Sequence, residues 1–91
     1  MKNYFEKKRN KTFIYTEDGT PVIVDTDQMK RIEDRIRNVY FDEKGFPMAT
    51  ATNGKKIPFS LFVVNAKKNE HVFFKNGRND CRKRSLEITQ R

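Results

Sequence analysis

DTDQMKRIEDRIRNVYF, residues 25–41, is the stretch on which the fold turns. Met29, Ile32, Ile36 and Val39 recur at helical spacing and define one apolar face. Asp25 and Gln28 have the spacing of a capping box, a side-chain acceptor at the cap and an amide three residues on. Asp27 and Arg31, and Glu33 and Arg37, are opposite charges four apart with the acid nearer the N-terminus, the favourable order. The pattern predicts one main amphipathic helix over about 26–37.

On either side the period changes from 3.6 to 2. Before the helix, TFIYT (12–16) and PVIVD (21–25) are β-rich runs separated by EDGT, and Asp-Gly between such runs signals a hairpin. After it come VYF, the turn DEKG, FPMATAT, the turn NG and KKIPFSLFVV, which read as three antiparallel strands joined by two tight turns. Pro47 and Pro58 suit edges or strand entries, because neither can donate to a ladder. NAKKNE (65–70) is a polar loop, HVFF (71–74) a last strand, KNGRND (75–80) a turn, and CRKRSLE (81–87) one or two turns of helix. The expected class is α+β: a small, mostly antiparallel sheet with one main helix. Residues 1–11 read as a mobile basic arm and 12–91 as a single domain.

Ninety-one residues allow one domain with a modest core. Eight Phe and three Tyr must supply much of it in the absence of Trp. Phe59, Phe62, Phe73 and Phe74 are therefore assigned to the interior. One cysteine forms no intramolecular disulfide and, with one His, no four-ligand zinc site, which points to a reducing compartment. The basic opening MKNYFEKKRNK has no apolar segment of the signal-peptide kind, and FVV with its neighbours is too short to span a bilayer. The expected place is a cytoplasm, with no membrane partner and no cofactor.

The net charge of +8 is unevenly placed. Residues 1–11 carry five basic and one acidic side chain, residues 75–91 carry six and two, and the stretch between is neutral. Such ends favour polyanions, with nucleic acid first. The candidate contacts are Lys7, Lys8, Arg9 and Lys11 at one end and Lys75, Arg78, Arg82, Lys83 and Arg84 at the other. A solvated basic tail would have the same composition. Tyr4 and Phe5 lie among the first group, and aromatics interleaved with cations can stack on unpaired bases. Cys81 has basic neighbours that could lower its pKa, but no base or second thiol accompanies it.

Taken in order, the hairpin ending VIVDTDQ, the amphipathic helix, the aromatic strand, KGF, GKKI and the Asn-Gly/Asp-x-Arg/Leu-Glu-Ile tail resemble the small HNH endonucleases of bacteriophages, over residues 12–90. The tail matches at Asn76, Gly77, Asp80, Arg82, Leu86, Glu87 and Ile88. The resemblance implies a ββα-like C-terminal element in vestigial form. It also implies that the family's general base and metal-holding positions fall at Phe74, Cys81 and Ser85, with a further His position at Ser60. Phe74 cannot take a proton, and neither the base nor the metal that phosphodiester hydrolysis requires is provided. His71, the one imidazole, is three residues from Phe74 and so on the other face of a strand. What remains is a phosphate-contacting surface without a catalyst: a nucleic-acid-binding protein of phage type acting in the host cytoplasm, on RNA or DNA, with no metal. The alternative is a small phage protein that binds and modulates a host protein. A residual enzyme with an unconventional metal site is a third reading.

Overall fold

A computed structural model describes residues 1–90. The chain is α+β, with three small antiparallel sheets and one main helix. The first sheet has the order β1 (Phe5–Lys8), β2 (Lys11–Tyr15), β3 (Pro21–Asp25). A 3-10 turn, Thr26–Gln28, leads into α1 (Met29–Arg35). The second sheet is β4 (Ile36–Phe41), β5 (Pro47–Ala51), β6 (Lys56–Pro58). Then follow α2 (Phe59–Val64), β7 (Glu70–Phe74), a 3-10 turn at Lys83–Ser85 and β8 (Leu86–Gln90), which pairs with β7.

One apolar cluster joins these layers. Ile14, Val22 and Val24 come from the first sheet, Met29 and Ile32 from α1, Ile36, Val39 and Ala49 from the second sheet, and Phe59 and Val63 from α2, with Cys81 and Leu86. Burying each large member stabilises the fold by about 1.5–3 kcal/mol. Two hydrogen-bonded ties fasten the periphery to it. Asn3 donates to the carbonyls of Tyr15 and Val39 and accepts from the Val39 N–H, at 2.8–3.0 Å, so one amide spans the first and second sheets. Ile23 at the outer edge of β3 exchanges bonds with Asn79 and Cys81, both 2.8 Å, which adds residues 79–81 as a short parallel extension of the first sheet.

Several expectations are corrected. The helix stops at Arg35, not near 37: Ile36 is already extended (φ −113°, ψ 130°), because β4 must turn its apolar residues onto β5. Asp25 makes no cap bond to the helix. Neither i,i+4 ion pair forms: Arg31 is drawn onto α2 and Arg37 onto the Thr52 carbonyl. PFSLFVV is not a continuation of a strand but α2, entered from Pro58 and ended by Asn65 in the left-handed region (φ 54°). Phe59 and Val63, four apart, are the buried pair, and the Arg31 guanidinium caps this helix by binding the Phe62 carbonyl while lying 4.0 Å over the Phe62 ring. Residues 1–11 are not a free arm, since β1 pairs along β2 and Phe5 packs inward. At the C-terminus the chain traces strand, loop, 3-10 turn and strand, so the helix expected at CRKRSLE is one turn only. Leu86 onward extends because β7 offers a partner edge. Phe73 points outward and is 59% exposed, a consequence of strand alternation that puts Val72 and Phe74 on the inner side.

Candidate nucleic-acid interface

Alternation along β2 decides what the first sheet shows to solvent. Thr12, Ile14 and Thr16 are buried, so Lys11, Phe13 and Tyr15 face out. Register then assembles the rest of that outer face. Lys8 lies opposite Lys11, and Lys11 opposite Asp25. Directly paired residues share a face, so Lys11 lies between Lys8 and Asp25 across the three strands at this corner. The Asp25 carboxylate accepts the Lys83 N–H at 2.9 Å, which pins the second basic segment to the same corner. Lys8, Arg9, Lys11 and Lys83 are exposed, as is Arg84, the residue after Lys83. Lys75 is held beside the same turn by its N–H on the Ser85 carbonyl, 2.9 Å.

Arg9 occupies the tip of the β1–β2 turn at φ 60°, a left-handed position that normally favours Gly or Asn. An L-residue there costs about 1–2 kcal/mol. Its guanidinium is exposed rather than bonded inward.

Not every sequence candidate is an uncommitted cation on that outer face. Lys7 shares a face with Thr12 and Val24, the inner side of the sheet, at its open edge. Arg78 binds the Lys44 carbonyl and lies 4.2 Å over the Phe46 ring, tying the C-terminal loop to the β4–β5 turn. Arg82 forks onto Asp80 through Nε (3.0 Å) and Nη2 (2.8 Å). These two arginines brace the fold.

Asp80 is the hub of that brace. It is 5% exposed and accepts from the Arg82 side chain, the Arg82 N–H (3.2 Å) and the Ser85 hydroxyl (2.9 Å), which in turn accepts from Asn76 at 2.8 Å. Burial alone would raise its pKa, but the Arg82 and Ser85 hydrogen bonds outweigh burial and hold the carboxyl below its ordinary range. The positions where the HNH resemblance implies reactive groups are filled otherwise. Phe74 packs against Phe46, with ring centroids 6.1 Å apart. Ser85 is spent on Asp80. Cys81 is fully buried, and burial with the Asp80 charge pushes its thiol up to about 12, the reverse of the activation that its basic neighbours suggest in the sequence. Ser60 is buried beside Phe59 in α2. Among the described residues no three His, Cys, Asp or Glu side chains gather at metal-holding distance.

At the other end of the outer face Tyr4 and Tyr15 form a cross-strand stack, centroids 5.8 Å and interplanar angle 26°. The Tyr15 hydroxyl donates to Glu6 at 2.9 Å, and that bond, with burial, raises its pKa. Tyr4 is 67% exposed. The pair walls a cleft of about 450 Å³ whose other sides include Lys2, Asn3, Glu17 and Asn38. Sequence reading grouped Tyr4 with Phe5 and missed Tyr15. The signal was the alternation in KTFIY, which already separates Lys11, Phe13 and Tyr15 from the buried set.

No protein-family model, curated protein or solved structure matches the chain. Among the described residues no helix is long and apolar enough to cross a membrane.

Proposed function

We propose that the protein binds nucleic acid without acting on it chemically, through the basic corner where the β1–β2 turn meets the Lys83–Ser85 turn. The observation that carries this reading is the Lys83–Asp25 bond, which unites two positively charged segments that the sequence places at opposite ends. Lys8, Arg9, Lys11, Lys83 and Arg84 present their charges together, and phosphate contacts of this kind supply affinity without base specificity. The strained Arg9 supports the same reading, because strain of this kind gathers at working sites. The resemblance to phage HNH endonucleases fits a scaffold that has kept a phosphate-facing surface and lost the groups for hydrolysis. In that view Asn76, Asp80, Arg82 and Ser85 serve as a structural brace, and the C-terminal hairpin with its single 3-10 turn is what remains of a ββα element.

The test is a binding titration against RNA and DNA at increasing salt, with protein purified free of nuclease and nucleic acid. With about five phosphates contacted, raising salt from about 50 to 200 mM weakens binding by two to three powers of ten. A flat response would turn the reading towards the alternative, a host-protein partner. A partner seated on apolar surface, such as that around Phe73 and Ile88, would barely respond to salt. Incubation with plasmid and single strands in Mg²⁺ or Mn²⁺ leaves both intact; metal-dependent cutting would overturn the non-catalytic part.

A further inference from the structure

The geometry points to unpaired, single-stranded nucleic acid as the ligand, with its backbone on the basic corner and its bases laid across the outer face of β1–β2 to Tyr4. This rests on the nucleic-acid reading above and names the substrate class of that same face.

The face has two chemical halves in register. One end holds Lys8 and Lys11, with the Lys83 main-chain N–H bonded to Asp25. Phe13 follows on the same face, with the Lys8 ammonium 5.5 Å from its ring centre. The Tyr4–Tyr15 stack closes the far end. From Lys11 to Tyr15 the strand advances roughly 13 Å, a span for a few nucleotides. Tyr4 turns one ring face onto Tyr15 and leaves most of its surface to solvent. A large, exposed aromatic face at the entry to β1 offers a flat partner a surface to stack on. Bases in a duplex show only their edges, in grooves, so the ring would meet no base face there. Unpaired bases show both faces, and their stacking on aromatics adds sequence-tolerant affinity to that of the phosphate contacts.

Most acidic groups near this face are already engaged. Glu6 accepts from the Tyr15 hydroxyl, and Asp18 is turned into its own loop by Thr16 and Thr20. Asp25 accepts from Lys83. Glu17, Lys2 and Asn38 also line the cleft, and Asn38 makes no side-chain hydrogen bond among the described residues. A carboxylate repels phosphate but accepts from the exocyclic amine of a base, and a carboxamide can both donate and accept. The cleft therefore suits a base rather than the backbone.

The experiment compares one labelled oligonucleotide as a single strand and as a duplex, in RNA and DNA forms, at fixed low salt. Wild-type protein is set beside Tyr4→Ala, Tyr4→Phe, Phe13→Leu and Lys8→Ala/Lys11→Ala. The single strand should bind more tightly than the duplex. Tyr4→Ala should weaken single-strand binding on the order of ten-fold, Tyr4→Phe should restore it, and duplex binding should not change. Phe13→Leu keeps apolar bulk and removes the ring, so it should weaken single-strand binding with an unchanged melt. Equal affinity for both forms, or indifference to Tyr4 and Phe13 while the lysine variant loses binding, overturns the single-strand inference and leaves the basic corner standing. No binding to either form removes both readings.

Discussion

The backbone N–H of Lys83 reaches the Asp25 carboxylate at 2.9 Å across 58 residues of sequence. Asp25 does not cap the helix it precedes; it ties the C-terminal turn to the end of β3. That carboxylate, together with the Ile23 bonds to Asn79 and Cys81, holds the second basic segment against the sheet that carries Lys11 and Lys8.

Replacing Lys8, Lys11 and Lys83 together with Ala should lower nucleic-acid affinity at least ten-fold. The salt slope should fall by about three, one for each phosphate no longer neutralised. Lys30→Ala/Arg35→Ala, on exposed positions of α1, should change neither. Arg31 is unsuitable for such a control because it caps α2. Titration at several salt concentrations, with a thermal melt of each variant, reads both effects. A helix variant that loses binding would move the site to α1.

Arg9 separates stability from binding. Arg9→Gly relieves the left-handed strain of about 1–2 kcal/mol and returns part of it through the greater freedom of the unfolded chain, about 0.4–1 kcal/mol. The melting temperature should stay level or rise by a few degrees while affinity falls. Arg9→Val should lower both, because a β-branched residue fits φ 60° worst. An Arg9→Gly protein that melts much earlier would show that the side chain holds the turn.

The Asp80 brace makes stability depend on acid. Its folded-state pKa lies below the ordinary carboxyl value of about 4. The stabilisation is therefore complete above that value and disappears as pH falls through the lower, folded one. Asp80→Asn should cost about 2–3 kcal/mol, the scale of a hydrogen bond to a charged group, and should flatten the acid limb of a stability–pH curve from urea unfolding. An unchanged acid limb would place the titrating group elsewhere.

Cys81 should be silent to thiol reagents in the folded state at pH 8 and react at once in denaturant. Its burial and raised pKa both suppress thiolate. The rate of labelling in mild denaturant then reports opening of the segment where residues 79–81 meet β3. Rapid labelling of the native protein would contradict the packing around Cys81.

Local pattern made much of the fold legible. The EDGT, DEKG and NG turns stand where strands reverse, and Asp42 and Asn53 accept the turn N–H groups as Asx residues do. The failures are long-range. PFSLFVV could be strand or helix by periodicity alone, and a guanidinium from α1 helps settle it. Ile36 and Val39 continue a helical spacing but obey the pairing demand of β5. For the site, charge placement identified the two basic ends, but nothing local marks Asp25 as their link. Arg78 looks like a free cation until the fold brings the Lys44 carbonyl near it, whereas the partner of Arg82, Asp80, stands only two residues away.

Asn3 gives the fold an order in time. Its amide is satisfied only by Tyr15 and by both polar atoms of Val39. During synthesis β1 leaves the ribosome first, yet its anchor cannot be completed until β4 has followed it out. The opening residues can pair with β2 as soon as it has formed, but their tie to the second sheet must wait through the making of the first hairpin and the helix. A fragment ending before β4 would carry Asn3 without its Val39 partner, and its β1 should exchange amide protons far faster than in the full chain.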